Sequence, residues 1–129
     1  MLKLSFVLIM LVSFSSSLFA GSFTVMTYNV ENLFNTSHDE GKRDWAYLPK
    51  SKKGKGEQAA YCKTQNSTWR KKECEELDWN EAVLDKKMKN LAEVILYKSA
   101  DVVILEEVEN LDVLEQFQKK YLLTLHLYF

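Results

Sequence analysis

The chain is short of the residues from which metal clusters and phosphate loops are built. Its 129 residues include two cysteines, two histidines and four glycines. His38 and His126 do not stand at ligand spacing from Cys62 or Cys74, so a zinc site lacks donors. There is no Gly-rich phosphate loop and no internal repeat. The opening apolar stretch, Leu4 to Val12, is too short to cross a bilayer comfortably. Charge of neither sign dominates: 17 basic residues face 18 acidic ones, which argues against an obligate polyanion binder.

What is present begins with a leader. Lys3 forms a positive n-region, Leu4 to Val12 an apolar core, and a Ser-rich stretch closes on Ala20-Gly21. These are the proportions of a secretory signal peptide. Residues 1–20 are expected to be removed, leaving an exported, periplasmic or extracellular chain of residues 21–129 without stable membrane association. An uncleaved anchor is the alternative, because Leu18 rather than a small residue would occupy the −3 position.

Two segments rich in β-branched and aromatic residues end abruptly in acids and amides. One runs from Phe23 to Phe34 (FTVMTYNVENLF), the other from Asp101 to Asn110 (DVVILEEVEN). Each reads as a buried strand, Phe23 to Val30 and Val102 to Leu105. Between them, Leu84, Met88, Leu91, Ala92, Ile95 and Leu96 recur at helical spacing, with Lys86, Lys87, Lys89 and Glu93 on the wet face. Asp78 and Glu81 have the form of a capping box opening that helix, and Ser99-Ala100-Asp101 ends it. A further helix is expected after Asn110, with Leu111, Leu114, Phe117 and Tyr121 as its stripe. Strand, crossover helix and strand make a βαβ unit with parallel strands. Their acidic C-terminal ends would then converge oxygen ligands on one point, as a hard divalent cation requires.

From Glu31 to about Leu77 no period is sustained, and residues 38–77 read as a long basic loop. Ten basic residues lie between Lys42 and Lys72, against Asp44 and Glu57. The interleaved Trp45, Tyr47, Tyr61 and Trp69 would suit phosphates and bases, and Lys52, Lys53 and Lys55 are candidate phosphate contacts. A solvated charged loop is the plainer reading. In an exported chain, Cys62 and Cys74 most simply form one disulfide, stabilising by roughly 3 kcal/mol in the chain-entropy model. Two free thiols are the alternative.

The pair TYNVENLF (Thr27 to Phe34) and DVVILEEVEN, joined by a helix containing NLAEVI (Asn90 to Ile95), resembles the start of the endonuclease/exonuclease/phosphatase superfamily. That group includes deoxyribonuclease I-like and exonuclease III-like nucleases, sphingomyelinases and inositol polyphosphate phosphatases. The likeness is greatest to exported bacterial members and covers most of residues 23 to 120 apart from the basic loop. It implies an α/β (α+β) fold: the N-terminal βαβ portion of a four-layer α/β/β/α sandwich, incomplete here. It also implies a Mg²⁺- or Mn²⁺-dependent phosphodiesterase acting on nucleic acid or another phosphodiester, with no obligate protein partner.

By that resemblance Glu107 matches the metal-ligating glutamate and Asn29 the residue that helps hold metal and scissile phosphate. Glu31 matches an acidic position near the metal, and Glu106 stands where many members have Gln. Side-chain alternation along a strand would let only one of Glu106 and Glu107 face the site. Read without the resemblance, the three glutamates are an exposed turn and Asn29 a strand-end cap. By the resemblance the family's D-x-N and S-D-H motifs fall in the later half of the domain, which is missing here, and neither histidine stands beside the partners expected of a catalytic His–Asp couple. The expected product is therefore a truncated N-terminal part, inactive alone; a non-enzymatic exported remnant or binding protein is the rival. The apolar Leu122 to Phe129 fits a cut-off strand or a shifted frame, and a lone βαβ unit would bury little core.

Overall fold

The computed structural model describes residues 21–126. The leader at 1–20 and its expected cleavage after Ala20 lie outside the described residues. Strand β1 spans Val25–Leu33 and strand β2 spans Val102–Val108, paired in parallel as a two-stranded sheet. Between them come a 3₁₀ turn at Lys50–Lys52 and helices α1 (Gly56–Lys63), α2 (Thr68–Glu76) and α3 (Glu81–Lys98). Helix α4 (Leu111–Tyr121) follows β2. This is a mixed α/β fold with strand, helix and strand in the expected order.

Among the described residues the sheet is covered on one side only, which differs from the expectation of buried strands. Met26, Tyr28, Val103 and Leu105 alternate inward onto a core of Val30, Leu33, Trp79, Leu84, Met88, Leu91, Ile95, Val113 and Phe117. Residues of α3 and α4 thus meet on the same face. On the other face Phe23, Val25, Val102 and Ile104 stay exposed, Ile104 at 48 %.

Helix α3 buries Leu84, Met88, Leu91, Ala92 and Ile95, a stripe at the helical period, and leaves Leu96 exposed at 47 %. Its cap is Asn80 rather than Asp78: the Asn80 side chain accepts from the backbone N–H of Ala82 and Val83. Ser99 ends the helix in the left-handed conformation at φ 48°. Helix α4 opens as expected on Asn110, whose side chain accepts from Val113 N at 3.0 Å. Its buried stripe is Val113 and Phe117, while Leu111 faces solvent. The chain then turns at Leu122, closed by Leu125 N donating to Leu122 O at 2.9 Å, so residues 122–126 form a turn and not a strand.

The basic segment at 38–77 is not a bare loop. It carries α1 and α2, joined by the disulfide Cys62–Cys74, with Gln58 buried beneath and donating to Cys74 O at 2.9 Å. The excursion leaves and returns at one neck. There Trp79 N donates to Leu48 O at 3.1 Å, and Lys50 N to Asp78 Oδ1 at 2.7 Å. Among the described residues no helix is long and apolar enough to cross a membrane.

Candidate functional site

The strand ends do not simply stop. Pairing runs regularly from Val25↔Val102 to Asn29↔Glu106, breaks, and resumes at Leu33↔Val108. Four steps along β1 therefore match two along β2, and the excess is taken up by Glu31 and Asn32 in the left-handed region, at φ 51° and 64°. Glu107 opposite is left-handed too, at φ 63°. Non-glycine residues rarely adopt this conformation, at a cost of about 1–2 kcal/mol each, so neighbouring contacts must hold them there.

Those contacts bring the expected pair together. Asn29 Nδ2 donates to Glu107 Oε1 at 2.7 Å, and Asn32 N donates to Glu107 Oε2 at 3.1 Å. Asn29 Oδ1 in turn accepts from Glu31 N at 2.7 Å, which fixes the orientation of the amide. Alternation alone would not have chosen between the two glutamates. Glu106 is the registry partner of Asn29 and shares its outer face; the left-handed turn at Glu107 brings that carboxylate to Asn29 instead. Among the described residues Glu106 makes no side-chain hydrogen bond, and Glu31 contributes backbone groups rather than its carboxylate.

Each Glu107 oxygen accepts one bond and keeps a lone pair, and the residue is exposed. That donor set, hard oxygens open to water, fits a magnesium or manganese ion that retains most of its hydration. Lys87 sits beside it, with Nζ bonded to Glu31 O and 3.3 Å from Asn32 O. Burial pushes this ammonium below its ordinary pKa, while the charges of Glu31 and Glu107 pull it back up. Sequence periodicity sets Lys87 on the wet face with Lys86 and Lys89; it is half-buried instead, with Nζ 5.6 Å from the centre of the Trp79 ring. Behind it, Tyr47 stacks on Phe34 at 4.0 Å and meets Trp79 edge-on at 5.6 Å. Burial raises the Tyr47 hydroxyl pKa, and Glu73 and Glu107 add to the effect.

The candidate phosphate contacts lie in the insert. Lys53 is half-buried and gives Nζ to Ala46 O at 2.7 Å and to Glu73 O at 3.4 Å. Burial pushes it down to about 8 against the pull of Glu73 and Asp78. Lys52 donates to Thr36 O at 3.2 Å. Both ammonium groups tie the insert to neighbouring backbone; Lys52 and Lys55 are exposed, Lys55 at the start of α1, while Lys53 is half-buried.

A second acidic centre escaped the sequence reading altogether. Ligand atoms of Asp39, Asp44 and Glu109 lie within 4.8 Å of one another. Asp44, 2 % exposed, bonds His38 Nδ1 and accepts from Asp39 N at 2.8 Å. His38 stacks on Trp45 with centroids 3.4 Å apart, and Asn110 Nδ2 donates to Asp39 at 2.8 Å. A His–Asp couple is thus present, contrary to expectation, but its hydrogen bonds run to this centre and not to Glu107. Glu109 accepts from Asn35 N at 2.9 Å through Oε2, while its buried Oε1 has no partner. Burial raises Glu109 to about 7, and the charges of Asp39 and Asp44 push the same way. Protonated, Oε1 becomes a donor with Asp44 as acceptor beside it. No spacing rule links these residues; only the fold brings 39, 44 and 109 together.

No protein-family model, curated protein or solved structure matches the chain.

Proposed function

We propose that the paired strand ends are the metal-holding side of a Mg²⁺-dependent phosphodiesterase of the endonuclease/exonuclease/phosphatase kind, acting on nucleic acid. The observation that carries this reading is the 2.7 Å hydrogen bond from Asn29 to Glu107 across the two parallel strands. It pre-orients one exposed carboxylate at the end of a sheet, where α/β folds place their ligands. A cation bound there would polarise a phosphoryl oxygen and offset the charge that develops during in-line attack. Glu107 is its principal ligand. Asn29 steers that carboxylate and keeps one amide hydrogen for a phosphate oxygen, and Glu31 lies at the rim.

The four-layer sandwich belongs to the same proposal. A second sheet packed on Phe23, Val25, Val102 and Ile104 would cover the apolar face left bare. Export is supported by the disulfide. Nucleic acid is preferred over a lipid ester because α2 exposes Trp69, at 68 %, next to Arg70, Lys71 and Lys72. The rival, an exported binding protein without catalysis, draws on the same bare face.

Mn²⁺ binding followed by electron paramagnetic resonance tests the reading. Glu107→Gln should remove the bound signal and Glu106→Gln should leave most of it. Equal losses at the two positions, or no binding by the unaltered chain, would refute the assignment. Cleavage of plasmid DNA by this chain is expected to be undetectable, since no His–Asp couple is hydrogen-bonded to the Glu107 site to activate water.

A further inference from the structure

Three lysines of α3 look interchangeable in sequence, yet only Lys87 reaches the strand ends. Its single ammonium contacts the carbonyls of two consecutive left-handed residues, Glu31 and Asn32. Its charge also lies 5.6 Å from the centre of the Trp79 ring, whose Nε1 donates to Phe34 O at 3.0 Å just beyond the bulge. Lys87 therefore ties a rigid helix to the one stretch of β1 that has no ladder partner. Releasing it would free Glu31 and Asn32 to relax toward ordinary backbone angles, and Asn32 N would leave Glu107 Oε2.

We propose that Lys87 is the positioning residue of the strand-end site. By clamping the carbonyls of Glu31 and Asn32 it keeps the Asn32 N–H on Glu107 and sets the direction in which that carboxylate meets a divalent cation. This rests on the metal-site reading above. It makes a prediction of unusual sign. Removing a positive charge next to a cation site should tighten cation binding by Coulomb attraction alone. Removing a clamp should weaken it, as loss of outer partners of a metal ligand does, by about 10- to 100-fold.

Calorimetric titration of the full chain with Mn²⁺ separates the two. Lys87→Met is expected to weaken binding about tenfold or more, Lys87→Arg to recover most of the loss, and Lys86→Met to leave affinity unchanged. Unchanged or tighter binding in Lys87→Met would overturn the proposal. A second readout needs no metal: hydrogen exchange at the Asn32 amide should accelerate at least about tenfold in Lys87→Met, while Leu91 and Ile95 keep their protection. Should Lys87→Met lose protection at those core amides as well, Lys87→Gln takes its place in both measurements. If the unaltered chain binds no Mn²⁺, the metal-site reading fails, and exchange at Asn32 decides the clamp by itself: no acceleration means no clamp.

Discussion

Asp101 holds Thr24 by both of its donors: Oδ2 accepts from Thr24 N at 2.7 Å and from Thr24 Oγ1 at 2.8 Å. This pins the strand pair at the end opposite to Asn29 and Glu107. The two fastenings bracket the register, and a one-residue slip would break both.

The Thr24 bonds hold the Asp101 carboxyl below its ordinary pKa. Because the folded value is depressed, the stabilisation is present above the unfolded value and disappears as pH falls through the folded one. Thermal melts of the unaltered chain and Asp101→Asn should therefore differ near neutrality and converge in acid. A constant offset down to the lowest pH would contradict this.

Glu109 works in the opposite direction. Its folded value of about 7 exceeds the ordinary 4.5, so the folded state holds its proton more tightly. That contribution is fully present below the ordinary value and is lost as pH rises toward 7. Denaturant unfolding should show Glu109→Gln gaining on the unaltered chain between pH 5 and pH 8. If the difference stays flat across that range, Glu109 is already ionised in the folded protein.

The disulfide should appear in intact-mass analysis as a two-dalton gain on reduction of Cys62–Cys74. Cys62→Ser with Cys74→Ser should cost roughly 3 kcal/mol in the chain-entropy model, felt as faster amide exchange in α1 and α2. Exchange in α3 should barely change. Collapse of α3 protection as well would mean that the insert supports the core.

Phe117, wholly buried between α4 and the sheet, is the largest of the fully buried side chains. Phe117→Ala is expected to destabilise by about 3–5 kcal/mol in urea melts. Asn110→Ala should cost about 1 kcal/mol by removing the α4 cap. A loss below 1 kcal/mol at Phe117 would mean that α4 is not docked in solution.

The strand–helix–strand order was legible because each element announces itself locally: β-branched runs, a helical stripe from Leu84 to Ile95, and Asn110 ahead of an apolar period. Asn29 and Glu107 were legible only through the paired motifs, since nothing local distinguishes Glu107 from Glu106. The double bulge at Glu31 and Asn32 was not legible. Left-handed backbone in glutamate and asparagine leaves no compositional trace, unlike the same turn built on glycine. The reach of Lys87 depends on that bulge, so it was hidden too. The Glu109 centre was invisible for another reason: it joins side chains some 70 positions apart, as the 71-residue separation of Asn110 from Asp39 illustrates.

The neck at Leu48 and Trp79 has a further consequence. Because the chain departs and comes back at points joined by a 3.1 Å hydrogen bond, everything between them is a cassette. Its own covalent tie and buried Gln58 hold it together, while β1 and α3 are bridged without it. Such an arrangement uncouples two kinds of change. The cassette can be exchanged, shortened to a tight turn or recharged, altering what the surface greets, without disturbing the strand ends where Asn29 holds Glu107.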